Sequence, residues 1–330
     1  MNYKEIKSCK IQGFDEMIRT ALVVGNNDDF KPLVSIIMPV YNHPDFFKKS
    51  LLSAISQKTN IPFEIIVVDN NHPEMQPLNQ EIVSSVCFDH LQYYVNEQNL
   101  KFCGNCNMGI NLARGKYVTF CHDDDILSES ALETLMDAYS RFNEDDAAIF
   151  GNFSLIDEND KIISKKTEWD YLFMRHLDCY KINMYDLLDK NYTNGCGALY
   201  NRKRLIEIGG FHGDYSPCAD YALNVTYTLK FGSYAIKDIT FNYRVSPQSD
   251  TRKVYLKMIE VNKKIQDDII KSGRISHFFP QIVLKFNQKL FLYKQQYKWE
   301  RNKPILYKYI LAQIVHILYC FSMMFSRRLR

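Results

Sequence analysis

Acidic side chains gather at two points of this 330-residue chain where an apolar run gives out. The run 63–68 ends in Asp69-Asn70-Asn71, and the run 117–121 ends in His122-Asp123-Asp124-Asp125. Both runs have the unbroken apolar character of strands covered on two faces, and in open α/β sheets ligands bind beyond the carboxyl ends of such strands. A lone acidic turn such as Asp69 fits a solvated loop equally well. The triple is different. Adjacent carboxylates repel one another, and apolar Val118 and Phe120 just before them make the position costly unless a cation is bound. Hard divalent ions, Mg²⁺ or Mn²⁺, prefer oxygen ligands of this kind. A cation held there would bridge a diphosphate and neutralise charge as a nucleoside diphosphate leaves. The chemistry indicated is group transfer from a nucleotide-activated donor.

Those two ends need a sheet to carry them. Residues 33–38 form a β-branched apolar run that Pro39 stops, and Phe47, Leu51, Ala54 and Ile55 then recur at helical spacing. After the run 63–68 come a strand pattern at 91–95, a helix at 103–113 closed by Gly115, and the run 117–121. This is β-α-β-α-β alternation, which predicts an α/β, Rossmann-like, mostly parallel sheet with helices on both faces. Ser130-x-x-Glu133 matches a capping box, and Leu132, Leu135, Met136, Tyr139 and Phe142 share a helical stripe before a strand at 147–155. The first strand leads into Pro39-Val40-Tyr41-Asn42, not a G-x-G-x-x-G turn, which disfavours a dinucleotide-dependent dehydrogenase; no Walker-type loop follows either.

Beyond Asp157 the periodicity loosens. A turn at 157–160, an aromatic stretch at 169–192 and the glycines Gly195, Gly197, Gly209 and Gly210 precede a helix at 219–230 with Gly232 just past its end. This half is expected to build an acceptor-facing wall. From Thr251 the chain reads as helical and increasingly basic, with Val254, Met258, Val261, Ile265 and Ile269 on one face.

Composition narrows the class. The 46% apolar and 24% charged fractions are those of a folded protein, and a net charge of +3 argues against nucleic acid as a partner. Nine scattered cysteines, with Cys103, Cys106 and Cys121 lacking a fourth ligand at zinc-like spacing, read as reduced thiols filling small packing sites. Lys4, Glu5, Lys7, Asp15 and Glu16 leave no signal-peptide core near the start, so a cytoplasmic location is expected.

Several ordered motifs resemble the large inverting GT-A glycosyltransferase family (family 2 type). They are Pro32-Leu33-Val34-Ser35-Ile36-Ile37-Met38-Pro39-Val40-Tyr41-Asn42, then Phe63-Glu64-Ile65-Ile66-Val67-Val68-Asp69-Asn70, then Asn107-x-Gly109 and Ala113-Arg114-Gly115-Lys116-Tyr117-Val118 before the acidic cluster. Weaker similarity runs through Ile208-Gly209-Gly210-Phe211 and Ala219-Asp220-Tyr221 to Gly232, fading by about Arg244. The resemblance implies that Asp69 holds the uracil or other base with Pro39 and Tyr41 lining its pocket. It places Asn107 and Asp123 among the nucleotide-sugar-binding residues. Asp124 would be the main metal ligand, with Asp125 and His122 as further candidates, and Asp220 the catalytic base. A helix start at Asp220 would help keep that carboxylate ionised, although the same position also reads as a helix cap. Three departures stand out: His122 replaces the first Asp of the D-x-D pattern and equally reads as a solvated loop histidine, Ala219 replaces the first acid of the usual pair, and Leu100 stands where glycine is common.

The implied organisation is a lead-in at 1–31, a GT-A domain at 32–245 split into a nucleotide-sugar half (32–156) and an acceptor half (157–245), and a helical region at 246–330. The implied activity is transfer of a hexosyl or N-acetylhexosaminyl group, from a UDP-sugar on the family pattern, to a saccharide or lipid-linked acceptor in surface polysaccharide or glycolipid synthesis. A binding protein that kept the fold without catalysis is the alternative; a nucleotidyltransferase is disfavoured for want of a glycine-rich, Lys-containing loop. Trp169, Tyr171 and Tyr180 read as core rather than sugar platforms, and Arg244 as a surface arginine or, less simply, a phosphate contact. The apolar run 305–325 is flanked by Lys294, Lys298, Arg301 and Lys303 before it and Arg327, Arg328 and Arg330 after it. Lys308, Gln313 and His316 interrupt it, which favours a helix lying in the inner membrane face over a span. Docking of that helix on the protein itself or on a second copy is the other reading, and an oligomer is left open.

Overall fold

The computed structural model describes residues 4–5, 19–25, 29–142, 144, 146–164, 178–183, 186–187, 191, 195–245, 250–269 and 271. By contacts the chain divides into two units, 1–183 with 191–247, and 184–190 with 248–330. In the first unit twelve strands join one sheet. They are β1 (Lys4–Glu5), β2 (Arg19–Val24), β3 (Val34–Val40), β4 (Phe63–Asp69), β5 (Leu91–Asn96), β6 (Tyr117–Phe120), β7 (Ile126–Leu127), β8 (Ala148–Ile156), β9 (Ile162–Ser164), β10 (Cys179–Lys181), β11 (Ala198–Asn201) and β12 (Ser233–Arg244). The order is β1-β2-β5-β4-β3-β6-β11-β8-β12-β10, with β7 on β12 and β9 on β8. The helices are α1 (Pro44–Ile55), α2 (Gln76–Ser84), α3 (Lys101–Leu112), α4 (Ala131–Ser140), α5 (Arg202–Glu207) and α6 (Ala219–Phe231); α7 (Asp250–Ile269) belongs to the second unit.

The centre, β5-β4-β3-β6, is parallel, and its flanks are antiparallel through β2 and β11. All seven residues of β3 and of β4 are buried, as a strand covered on both faces requires. Val34, Ile36, Met38 and Val40 face α1 and α4 through Phe47, Leu51, Leu132 and Leu135. Ile66, Val68 and Tyr94 point the other way, onto Met108 of α3. Gly109 is glycine for the same reason: a Cβ there would lie 2.2 Å from Ile37 Cγ2, so only a bare backbone lets α3 come this close.

Where the structure departs from the sequence reading, local causes are visible. Pro39 does not stop its strand, because β3 continues to Val40 in register with β4. Ile37 O accepts from Cys121 N on the β6 side, and Pro39, two residues on, faces that side after β6 has ended; no ladder bond asks for its missing N–H. The capping box at Ser130 is not formed. Ser130 precedes α4 without a side-chain cap, and Glu133 instead accepts from Thr59 Oγ1 at 2.5 Å. Residues 19–24 of the lead-in form a strand between β1 and β5, and α2, β11 and α5 had no periodic signal strong enough to read. Trp169, Tyr171 and the run 305–325 lie outside the described residues, whereas Tyr180 sits half-buried on β10 opposite Ala235.

Candidate active site at the carboxyl ends of the central strands

The loop 121–125 leaves β6 and enters β7, and four bonds fix it. The Tyr41 amide donates to Asp123 Oδ2 at 3.1 Å, tying the end of β3 to the acidic loop. Ser50 Oγ of α1 donates to the Asp125 carbonyl. The Arg244 amide donates to Asp125 Oδ1 at 3.0 Å, and Arg244 Nε donates to the Asp124 carbonyl at 2.7 Å. Arg244 is therefore neither a surface arginine nor a phosphate contact: it is 2% exposed and spends itself on this loop.

His122, Asp124 and Asp125 each offer a ligand atom, and these atoms all lie within 4.8 Å of one another. Asp125 Oδ2 and His122 Nε2 are buried without a hydrogen-bond partner among the described residues. Buried polar atoms left so are expensive, and a divalent cation ligated by carboxylate oxygen and neutral imidazole would satisfy them. The three residues thus fit a divalent ion. Burial, then Asp125 and Asp123, push the Asp124 carboxyl up to about 8. Burial also raises Asp123, partly offset by His43 and the Tyr41 amide. Burial lowers the His122 imidazole, but Asp125 and the other two acids outweigh it and the net direction is upward.

A test follows from the Asp124 direction. The folded chain holds this proton more tightly than the unfolded chain, so its stabilising effect is full below about pH 4 and is lost as pH rises through about 8. A divalent ion such as Mn²⁺ held at those oxygens would compete with the proton. The expected result is a Mn²⁺-induced rise in Tm, measured by scanning calorimetry, that is larger at pH 8 than at pH 6; an equal or smaller gain at pH 8 contradicts it.

The other predicted residues divide. Asp220 lies in the first turn of α6 but is not its cap, which is Cys218. Asn191 Nδ2 donates to Asp220 Oδ2 at 2.7 Å, Asn224 Nδ2 donates to Asn191 Oδ1 at 2.8 Å, and Tyr200 Oη donates to Asn224 Oδ1 at 2.6 Å. Burial raises the Asp220 carboxyl, with the Tyr221 amide, His122 and Asn191 pulling against it. Gly195 joins the acid to the cluster. Its φ is +85°, its amide segment runs beside β6 through Gly197 N to Phe120 O, and a Cβ there would meet His122 Nε2 at 3.4 Å and Asp220 Cβ at 3.5 Å. His122 and Asp220 therefore both lie against the Cβ face of one glycine.

Asp69 ends β4 fully buried, accepting from the Asn71 amide, Asn79 Nδ2 and Tyr93 Oη, each at 2.8 Å, and burial raises its carboxyl. It lies within electrostatic reach of Asp123. Pro39 is buried beside it on β3, and the Tyr41 ring stands edge-on to His72 with centroids 5.0 Å apart. Asn107 is not brought to the site. It is buried, Nδ2 donates to Phe211 O and Oδ1 accepts from Phe211 N, so both halves of its amide hold the 210–211 turn. Leu100 tolerates the position where glycine is common because the left-handed residue is its neighbour Lys101, at φ +60°, held by Asn99 Oδ1. Two residues were missed: Phe102, 43% exposed and edge-on to both His122 and Phe211, and Asn191. An exposed aromatic on an unremarkable helix start and an isolated asparagine carry no sequence pattern.

Comparison with known proteins decides the family, because the sequence model described as glycosyl transferase family 2 matches residues 35–209. The chain belongs to glycosyl transferase family 2. An uncharacterized glycosyltransferase of Rickettsia bellii is 26% identical over 259 residues, covering 76% of this chain and 36% of that protein. The GalNAc(5)-diNAcBac-PP-undecaprenol beta-1,3-glucosyltransferase of Campylobacter jejuni is 36% identical over 128 residues, 37% of this chain and 38% of that one. This chain spans about a third of the length of the first Rickettsia relatives. Among solved structures, S. aureus TarS 1-349 in complex with UDP-GlcNAc superposes with a TM-score of 0.59 at 16% identity, over 84% of this chain and 79% of that one. At that identity the likeness shows the shared GT-A fold, and the family 2 match spans β3 to α5, the strand ends and acidic loop included.

Proposed function

We propose that this family 2 chain is an inverting glycosyltransferase that moves a hexosyl or N-acetylhexosaminyl group from a UDP-sugar to a saccharide or lipid-linked acceptor. The observation that carries the reading is the meeting at Gly195 of a candidate ligand cluster, His122 with Asp124 and Asp125, and a buried carboxylate, Asp220. A divalent ion, Mn²⁺ or Mg²⁺, would be held by His122, Asp124 and Asp125 and would supply neutralising charge to the departing diphosphate. Asp123, Tyr41, Pro39 and Asp69 would line the nucleotide subsite at the ends of β3 and β4. Asp220 takes the proton of the acceptor hydroxyl as that oxygen bonds to the anomeric carbon; the bond from carbon to the diphosphate oxygen breaks on the opposite face, giving inversion. Asn191 holds the carboxylate in position for this. Residues 32–156 would form the donor half, 157–245 the acceptor half.

A panel of nucleotide sugars, with and without Mn²⁺, tests this. Release of nucleoside diphosphate supports it; binding without release points to a saccharide-binding protein of the same fold, and release of pyrophosphate to nucleotidyl transfer.

We also infer that the segment 303–330, which lies outside the described residues, attaches the enzyme to the inner face of the cell membrane, where a lipid-linked acceptor in polysaccharide or glycolipid synthesis would be met. Its basic flanks would meet anionic headgroups. Among the described residues no helix is long and apolar enough to cross a membrane. The full chain is expected to sediment with anionic vesicles at low salt and a chain cut before Lys303 to remain free; equal sedimentation of the two refutes the attachment.

A further inference from the structure

Arg244 ends β12 among the largest fully buried side chains of the described residues, and its side chain meets the acidic loop, the turn at Asp157–Asp160 and the Phe46 ring. Its Nε donates to the Asp124 carbonyl at 2.7 Å and Nη1 donates to the Asp157 carbonyl at 2.7 Å. Nη2 lies 2.7 Å from Asp160 Oδ1, and the guanidinium carbon stands 4.5 Å from the centroid of the Phe46 ring on α1. Its own amide takes Asp125 Oδ1. That last bond has a consequence: with Oδ1 engaged, the buried Oδ2 is the atom left facing His122, whose Nδ1 is 3.6 Å away.

An ionised side chain this deep is costly unless paired, and here hydrogen bonds to the loop and to Asp157 are joined by an ion pair of Nη2 with Asp160 that forms no aligned hydrogen bond. A guanidinium suits the task because its fork donates in two fixed directions at once, toward Asp124 O and toward Asp157 O; an ammonium has no such geometry. Asp160 in turn meets Lys49 of α1 at 2.6 Å, so the turn that braces Arg244 is itself pinned to the helix that supplies Ser50.

We propose that Arg244 is the positioning residue of the cation site: it sets the peptide between Asp124 and Asp125, aims both carboxylates, and offsets the charge of three adjacent acids, without touching substrate. The inference rests on the reading of His122, Asp124 and Asp125 as metal ligands. Partners that orient metal ligands are typically worth about 10- to 100-fold in metal affinity.

The test uses the full chain and Mn²⁺ alone, with dissociation constants from isothermal titration calorimetry at a temperature well below every variant's Tm. R244K keeps the charge and loses the fork; D160N removes one outer partner at a partly exposed position and guards against a variant that fails to fold. The expected result is a Kd for Mn²⁺ at least about tenfold weaker in R244K and weakened less in D160N. Turnover lost at limiting Mn²⁺ should be recovered at saturating Mn²⁺, because Arg244 does not meet the reacting atoms. If the wild type binds Mn²⁺ and D124N does not, yet R244K and D160N bind with the wild-type Kd, this inference fails and the metal reading stands. A lower Tm in R244K with an unchanged Kd overturns it in the same way. Should the wild type not bind Mn²⁺, or D124N bind it equally well, the metal reading falls and this inference with it.

Discussion

Asp124→Asn is expected to abolish Mn²⁺-dependent turnover, by roughly a factor of 10² to 10³, while leaving the apo protein more stable than the wild type at pH 8. The loss follows from removing a charge-bearing ligand from a site that would neutralise a leaving diphosphate, an effect of several kcal/mol. The gain follows from the position of the carboxyl. Burial and the neighbouring Asp125 and Asp123 push it up to about 8, so its ionisation opposes folding as pH rises toward that value. Asparagine keeps the shape and removes that cost. The backbone carbonyl that receives Arg244 Nε is untouched, so the loop should keep its course. Opposite signs for turnover and apo stability separate loss of a ligand from loss of fold. Steady-state kinetics over a Mn²⁺ series with scanning calorimetry in EDTA reads both, and native-rate turnover in Mn²⁺ would remove Asp124 from the site.

Asp220→Asn is expected to lower kcat by about 10² to 10⁴, the usual span of a general-base contribution, with donor affinity nearly unchanged. The substitution is isosteric, and the new amide can still accept from Asn191 Nδ2 through its oxygen. Nor does α6 lose a cap, since Cys218 precedes the helix and no side-chain cap bond is made there. Product configuration provides the second readout. A single displacement with Asp220 as base inverts the anomeric centre, so proton NMR showing retention would rule the mechanism out even if kcat fell.

Much of this was legible before any coordinates. The apolar runs at 33–38 and 63–68 read as strands covered on both faces, and the recurrence of Phe47, Leu51 and Ala54 at helical spacing reads as a helix lying on them; the structure has β3 and β4 wholly buried and α1 burying those three residues. The same logic placed the acids of loop 121–125 at the end of a strand and flagged their mutual repulsion as the mark of a cation site. The family resemblance gave His122 as a further candidate ligand beside its reading as a solvated loop histidine, and the structure puts it with Asp124 and Asp125.

What the sequence could not decide was which distant residues meet those acids. Asn107 carried a family motif, yet its amide is consumed by Phe211, 104 positions away, because the 210–211 turn closes over α3. Arg244 lies 119 residues beyond Asp125 on a strand whose pairing with β8 has no local signature, and only that pairing brings its guanidinium beneath the loop. Gly195 reads as one turn glycine among several until β11 is threaded antiparallel between β6 and β8, which sets it against both His122 and Asp220. Strand period, helix stripe and the electrostatic cost of clustered carboxylates are properties of neighbours along the chain, so the sequence by itself determined the central strands, their covering helices and the acidic half of the candidate site. Register between distant strands depends on the whole packed sheet, and it was the tertiary structure that brought Asp220, the glycine and the arginine to the acids.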